Sequence, residues 1–140
     1  MDPEIWGPTY WSFLHTVAAH YPLKPTATER KVHYRLIHHF PEFIPHRTIA
    51  ADFRRLLEAN PVTPYLDNTA AFVRWVNHIH NVVNEKLDKP TVPLQDHLQA
   101  FKEMHESGAD KRRRFLKNRY WVVCGTFIIL LGLVVYMYSK

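Results

Sequence analysis

Near its C-terminus the chain carries an uninterrupted apolar segment, residues 120–138, which limits what the rest of the chain can fold into. The segment has no charged side chain and no proline, and as a helix its 19 residues rise roughly 28 Å, close to the thickness of a bilayer. Tyr120 and Trp121 at one end and Tyr136 and Tyr138 at the other are typical of an aromatic belt. The alternative of a buried core helix is disfavoured, because about a hundred other residues are too few to enclose an apolar rod. We therefore expect a membrane-spanning helix.

The positive charge of the chain is concentrated beside this segment. Residues 1–110 carry 11 Lys and Arg against 13 Asp and Glu, whereas residues 111–119 carry six positive charges. Positive flanks remain on the cytoplasmic side of a membrane and attract anionic lipid headgroups. The residues expected to contact such lipids are Lys111, Arg112, Arg113 and Arg114. A nucleic-acid-binding module is the alternative for a basic segment, and it is disfavoured because the rest of the chain is acidic.

These features predict a single-pass, tail-anchored protein. Residues 1–106 form a folded domain on the cytoplasmic side, residues 107–119 form a linker with the basic segment, and residues 120–138 cross the membrane.

Proline residues and capping signals divide the folded domain into short helices, and no segment alternates as a strand does. The first helix is expected from Pro8 to about His20, since proline suits a first turn. Thr26 and Glu29 have the spacing of a capping box and open the second helix. A third helix is predicted to end before Asn60, and a fourth to run from Asn68 or Thr69 to Leu87. A fifth helix is predicted to cover about Leu94 to His105. The fold class is therefore all-α: a four-helix bundle with a short fifth helix, followed by one C-terminal transmembrane helix.

The fourth predicted helix carries a stripe of uncharged polar side chains opposite its apolar face. Asn77, His80, Asn81 and Asn84 fall within roughly 100° of arc at helical spacing. Asparagine is a poor helix former, so three asparagines on one face indicate that their side chains make specific contacts. The alternative is an ordinary solvated face, although such faces more often carry Lys and Glu.

The chain has one cysteine, Cys124, and it lies inside the apolar segment. One cysteine cannot form an intrachain disulfide or a four-cysteine zinc site. The ten histidines show no pair at the tight, recurrent spacing of zinc ligands, so no metal site is predicted among them. In particular, no metal site is predicted at His38, His39, His46, His78 or His80.

Two motifs, in order and well separated, resemble segments of the Erv/ALR family of FAD-linked sulfhydryl oxidases. The first is a Gly-x-x-x-Trp-x-x-Leu-His pattern, carried by Gly7, Trp11, Leu14 and His15. The second is a His-Asn-x-x-Asn-x-x-Leu-x-Lys-Pro pattern, carried by His80, Asn81, Asn84, Leu87, Lys89 and Pro90. The resemblance covers roughly residues 5–94 and implies the four-helix bundle of that family.

The resemblance also implies an FAD site inside the bundle. Its lining is expected from Gly7, Trp11, His15, Asn77, His80, Asn81 and Asn84, with Lys86 and Lys89 near the phosphates. The residue types suit this use, because aromatic rings stack on flat rings and Asn and neutral His offer both donors and acceptors.

The chain departs from the family at its reactive sulfurs. The family's Cys-x-x-Cys pair falls on His46 and Ile49, and the two cysteines of its stapling disulfide fall on Asn77 and about Leu94. A thiol oxidase needs a thiolate that attacks and a second sulfur that resolves the mixed disulfide. No catalytic residue is therefore predicted. Packing by Leu94, Leu98 and Phe101 is expected to replace the staple.

Two functions remain open on the sequence. The first is a non-catalytic, membrane-anchored protein with a structural or interaction role. Viral members of the family suggest one setting for it, a virion membrane or minor capsid component located at the virion inner membrane. The second is an FAD-binding oxidoreductase that acts with a partner's dithiol. The family also suggests a homodimer through the first helices, with Phe13, Val17 and Tyr34 as candidate contacts.

Overall fold

The computed structural model describes residues 2–105 and 107–138, and every regular element in these ranges is helical. In chain order the α-helices are α1 (Pro3–Ala19), α2 (Ala27–His39), α3 (Arg47–Ala59), α4 (Thr69–Lys86), α5 (Leu94–His105) and α6 (Gly108–Tyr138). Short 3₁₀ turns, Phe40–Phe43 and Thr63–Tyr65, lead into α3 and α4. The predicted all-α class, with a helical bundle and one C-terminal apolar helix, is confirmed.

Helix α1 begins five residues before the expected start at Pro8. The side chain of Asp2 caps it by accepting a hydrogen bond from the Glu4 backbone N–H at 2.9 Å, and Pro3 occupies the first turn. Pro8 therefore lies inside the helix. Its missing N–H removes only the bond to the carbonyl four residues earlier, and the Asp2 cap starts the helix before that position.

The other helix starts agree with the capping signals. Thr26 and Glu29 form the reciprocal capping box of α2, in which the Glu29 N–H donates to Thr26 Oγ1 at 3.2 Å and the Thr26 N–H donates to Glu29 Oε2 at 2.7 Å. Asn68 caps α4 by accepting from the Ala71 N–H at 2.9 Å. These local bonds satisfy backbone donors that have no partner inside the helix.

The core lies between the first four helices and contains only apolar or aromatic side chains among the buried residues described. Helix α4 contributes Phe72, Val76 and Ile79, each at most 1% exposed, and it packs directly on α1. The Tyr21 hydroxyl donates to the Leu66 carbonyl at 2.8 Å and so connects the loop after α1 with the turn before α4. This packing holds the facing sides of α1 and α4 in a fixed register.

The chain divides into two compact units, residues 1–101 and residues 102–140. In the second unit, Ser107 accepts a hydrogen bond from the Asp110 N–H at 3.1 Å at the start of α6. Helix α6 includes the basic residues 111–119 as well as the apolar segment, so the basic segment is helical. By length and composition α6 is long and apolar enough to cross a membrane, with a mean hydropathy of 2.2 in its most apolar window.

Candidate functional site

The candidate site lies where α1 faces α4. The rings of Trp11 and His80 stack nearly parallel, with centroids 4.1 Å apart and planes 9° from each other. Nε2 of His15 lies 3.1 Å from Nδ1 of His80, within hydrogen-bond distance. The structure thus brings together three residues that the two sequence motifs predicted for one site.

Helical spacing explains the α1 side of the site. Gly7, Trp11 and His15 follow at intervals of four residues and so share one face of the helix. An added Cβ at Gly7 would meet no other atom within 4 Å, so packing in this structure does not require glycine there.

His97 of α5 also joins the site, although neither sequence motif includes it. Its ring centroid lies 4.6 Å from that of His15 and 4.9 Å from that of His80. Its Nδ1 is in short hydrogen-bond contact with Oδ1 of Asn77 on α4. No local pattern marks His97, because its partners on α1 and α4 precede it by 17 residues or more.

The three histidines share an environment that disfavours positive charge. Burial, then the nearby His97, lowers the pKa of His15 to about 4. Burial, then His15 and His97, lowers the pKa of His80 to about 3. Burial also lowers the pKa of His97, against the opposing effect of Asp96. All three imidazoles are therefore neutral at pH 7, with nitrogen lone pairs available.

Asn81 and Asn84 bind the chain's own backbone. The Asn81 amide donates to the Val92 carbonyl and accepts from the Val92 N–H, both at 2.9 Å. The Asn84 amide points at the Pro90 carbonyl at 3.4 Å. The polar stripe of α4 thus holds the connection between α4 and α5, which turns at Asp88 with a positive φ of 53°.

The two lysines expected near phosphates lie at the end of α4 and beyond it. Lys86 is exposed in the last turn of α4, and Nζ of Lys89 forms an ion pair with Glu4 at 3.6 Å. Both positions are solvent-accessible, and an exposed pair of this kind contributes little stability.

His46 and Ile49, the positions that the resemblance assigns to the family's redox cysteines, lie at the start of α3. His46 is the exposed N-terminal cap residue, with Nδ1 2.7 Å from the Thr48 hydroxyl. Ile49 is half-buried and packs on the core. One turn further on, Phe53 meets Trp11 edge to face with centroids 6.1 Å apart. The positions are therefore next to the candidate site, but neither side chain can carry thiol chemistry.

The residue types of the site fit a flavin, but their arrangement does not. A flat ring needs an open slot, and the Trp11 and His80 rings are already in contact. The cavity beside His15 has a volume of about 10 Å³, whereas ligand pockets span roughly 300–1,000 Å³. Its lining residues are His15, Ala19, Val73, Leu94, His97 and Leu98. Leu94, His97 and Leu98 of α5 thus line this cavity together with residues of α1 and α4, and their replacement of the staple stays a prediction.

Comparison with known proteins places this arrangement in a family. The model of the Erv1 / Alr family matches residues 8–106. The chain is 37% identical over 95 residues to the FAD-linked sulfhydryl oxidase ERV1 of Oryza sativa subsp. japonica, covering 68% of this chain and 48% of that protein. It is 29% identical over 104 residues to a probable FAD-linked sulfhydryl oxidase, R368, of Acanthamoeba polyphaga mimivirus, covering 74% of this chain and 73% of that protein.

Solved structures give the same result. The FAD binding domain of Erv1 from Saccharomyces cerevisiae matches with a TM-score of 0.68 and 30% identity, covering 76% of this chain and 99% of that domain. The chain spans about half the length of the plant relatives it matches, 48% of the rice protein and 47% of the Arabidopsis thaliana protein. The resemblance found in the two sequence motifs is confirmed, and this chain belongs to the Erv1/Alr family.

Proposed function

We propose that the chain is a membrane-anchored member of the family that does not itself oxidise thiols and that acts through binding. The observation that carries this proposal is that the chain's one cysteine is Cys124, while the resemblance assigns His46 and Ile49 to the family's redox positions.

The chemistry of thiol oxidation supports it. A substrate thiol is oxidised through a mixed disulfide with an enzyme thiolate, which a second sulfur then resolves. An imidazole at position 46 and an alkyl chain at position 49 supply neither sulfur. Cys124 lies in the apolar part of α6, where the charged thiolate is strongly disfavoured.

The closed site between α1 and α4 is a second support. The rings of Trp11 and His80 are in stacking contact, so no flavin ring fits between them, and the Asn81 amide is used in the bonds to Val92. These half-buried side chains bond to one another and to the chain's own backbone.

The setting of this binding role is part of the proposal. Helix α6 holds the protein in a membrane, with Arg112, Arg113 and Arg114 against anionic headgroups and the bundle on the cytoplasmic side. The partner is a protein, either another chain at the same membrane, such as a virion or capsid component, or a second copy through Phe13 and Tyr34, which are 47% and 42% exposed.

A second candidate is an FAD-binding oxidoreductase that accepts electrons from a partner's dithiol. The names of the relatives, FAD-linked sulfhydryl oxidases of plants, yeasts and viruses, favour this candidate. So does the presence of Trp11, His15 and His80 at matching positions.

Oxidation of dithiothreitol by the full-length protein in detergent tests the proposal. We expect oxygen consumption no faster than that of free FAD at the same concentration, and the Cys124→Ser variant should behave identically. Purified protein should also lack the absorption band of bound flavin. Thiol oxidation well above free flavin by the Cys124→Ser variant would overturn the proposal.

Restoring the cysteine pair separates the two candidates. His46→Cys with Ile49→Cys should gain no flavin-dependent oxidation if the site is closed to FAD. A gain, together with a flavin band, would favour the second candidate. The matched control is Val32→Cys with Arg35→Cys, which places the same spacing on the exposed side of α2.

A further inference from the structure

We propose that His15, His80 and His97 together bind one divalent transition-metal ion of the zinc class. The three histidines come from α1, α4 and α5, and each offers one ring nitrogen. These three nitrogens lie within 4.8 Å of one another. This site goes beyond the proposed function and does not depend on it.

The distances suit a tetrahedral ion. With metal–nitrogen bonds of about 2.0–2.1 Å, two ligand nitrogens of a tetrahedron are roughly 3.3 Å apart. His15 Nε2 and His80 Nδ1 are 3.1 Å apart, so an ion can replace the contact between them with little movement. The third nitrogen has to approach by roughly 1.5 Å or less, which a small rotation of the His97 ring provides.

Asn77 orients the third ligand. Its Oδ1 is an acceptor, so Nδ1 of His97 donates its proton there and Nε2 keeps a free lone pair. Histidines that bind metals commonly give their second ring N–H to a carbonyl or carboxylate oxygen, which fixes the tautomer and the ring. The resemblance assigns Asn77 to one position of the family's stapling disulfide. In this chain the hydrogen bond from His97 to Asn77 connects α5 with α4 at that position.

The surroundings favour an ion with an open coordination position. Imidazole ligands suit zinc, copper, iron and nickel, and neutral rings need not lose a proton to bind. The cavity of about 10 Å³ next to His15 and His97 is close to the space of one water molecule, which would complete a tetrahedron. Such an ion would tie α5 to α1 and α4 in place of a disulfide.

Cobalt titration of the full-length protein in detergent tests this site. After treatment with EDTA, CoCl₂ should bind at one ion per chain and produce the intense visible band of a tetrahedral site. Equimolar ZnCl₂ should then abolish that band. Absence of the band, or binding only of a weakly absorbing octahedral ion, would overturn the proposal.

Variants separate the site from the other histidines of the chain. His97→Gln should weaken cobalt binding about tenfold or more and remove the visible band, and Asn77→Ala should weaken it roughly 10- to 100-fold. His38→Gln with His39→Gln, two exposed neighbours on α2, is the matched control and should bind as the unmodified protein does.

Stability measurements guard against a variant that simply fails to fold. ZnCl₂ should raise the Tm of the unmodified protein and of the control variant, but not that of His97→Gln or His15→Gln. Circular dichroism should show equal helical content in all four without metal. Undiminished cobalt binding by both His97→Gln and His15→Gln would show that the ion binds elsewhere and would refute the assignment.

Discussion

At the scale of single residues, Asn81 shows how one amide can replace a regular backbone partner. The connection between α4 and α5 has no helical neighbour to pair with, and Asn81 supplies both a donor and an acceptor to Val92 at 2.9 Å. Without the Asn81 side chain, the N–H and the carbonyl of the half-buried Val92 would lose these hydrogen-bond partners.

Replacing Asn81 by Ala should therefore destabilise the bundle by about 1.5–3 kcal/mol, because it removes two hydrogen bonds worth about 1 kcal/mol each and leaves the Val92 groups unpaired. Urea unfolding followed by circular dichroism measures the change. Asn84→Ala is the matched control, since it removes one long bond of 3.4 Å and should cost less. A loss at Asn81 below about 0.5 kcal/mol would show that these bonds are exchanged for water at no cost.

At the scale of elements, helix ends are defined by side chains within three residues of the cap. The α2 capping box is complete, and its hydrogen bonds lower the pKa of Glu29 because they favour the carboxylate. Since α2 follows the Tyr21–Pro25 break, this box determines where the helix begins.

Thr26→Ala should lower the free energy of unfolding by about 1 kcal/mol, the usual cost of losing a threonine cap. Thermal unfolding at constant pH measures it as a reduced Tm. Thr28→Ala, an exposed change two residues on, should lie within about 0.5 kcal/mol of the unmodified protein. Equal effects of the two changes would mean that the cap contributes nothing.

At the scale of the whole molecule, the chain consists of two units that differ in the exposure of their apolar side chains. Residues 1–101 bury an apolar core in the manner of a soluble domain, whereas α6 in the second unit exposes most of its apolar side chains. Helix α6 is long and apolar enough to cross a membrane, as its role in the proposed function requires.

Alkaline carbonate washing of membranes should accordingly leave the full-length protein in the pellet, while a chain ending after Asp110 should be released. The matched control keeps the full length and changes Leu130→Arg with Val134→Arg. It should also be released, because each charge costs roughly 2.5–3.5 kcal/mol at the centre of a membrane helix. Release of the unmodified protein would refute the membrane assignment.

The helices, the apolar segment and the presence of a single cysteine can all be read from local sequence. The Thr26–Glu29 box, the Asn68 cap and the run of residues 120–138 are local features, since each rests on neighbours within a few residues or on composition alone. Side-chain identity at His46 and Ile49 limits the chemistry in any conformation. The predicted start of α1 was wrong, because Pro8 suits a first turn but the Asp2 side chain caps the helix before it.

The contacts of the site residues, in contrast, depend on how the helices pack. His15 and His80 are 65 residues apart, and they meet because α1 packs on α4. His97 reaches them from α5, and the Asn81 amide bonds to the Val92 backbone. Periodicity places a side chain on a helix face, but its partner depends on which helix packs there, and that choice is made by burial of the core as a whole.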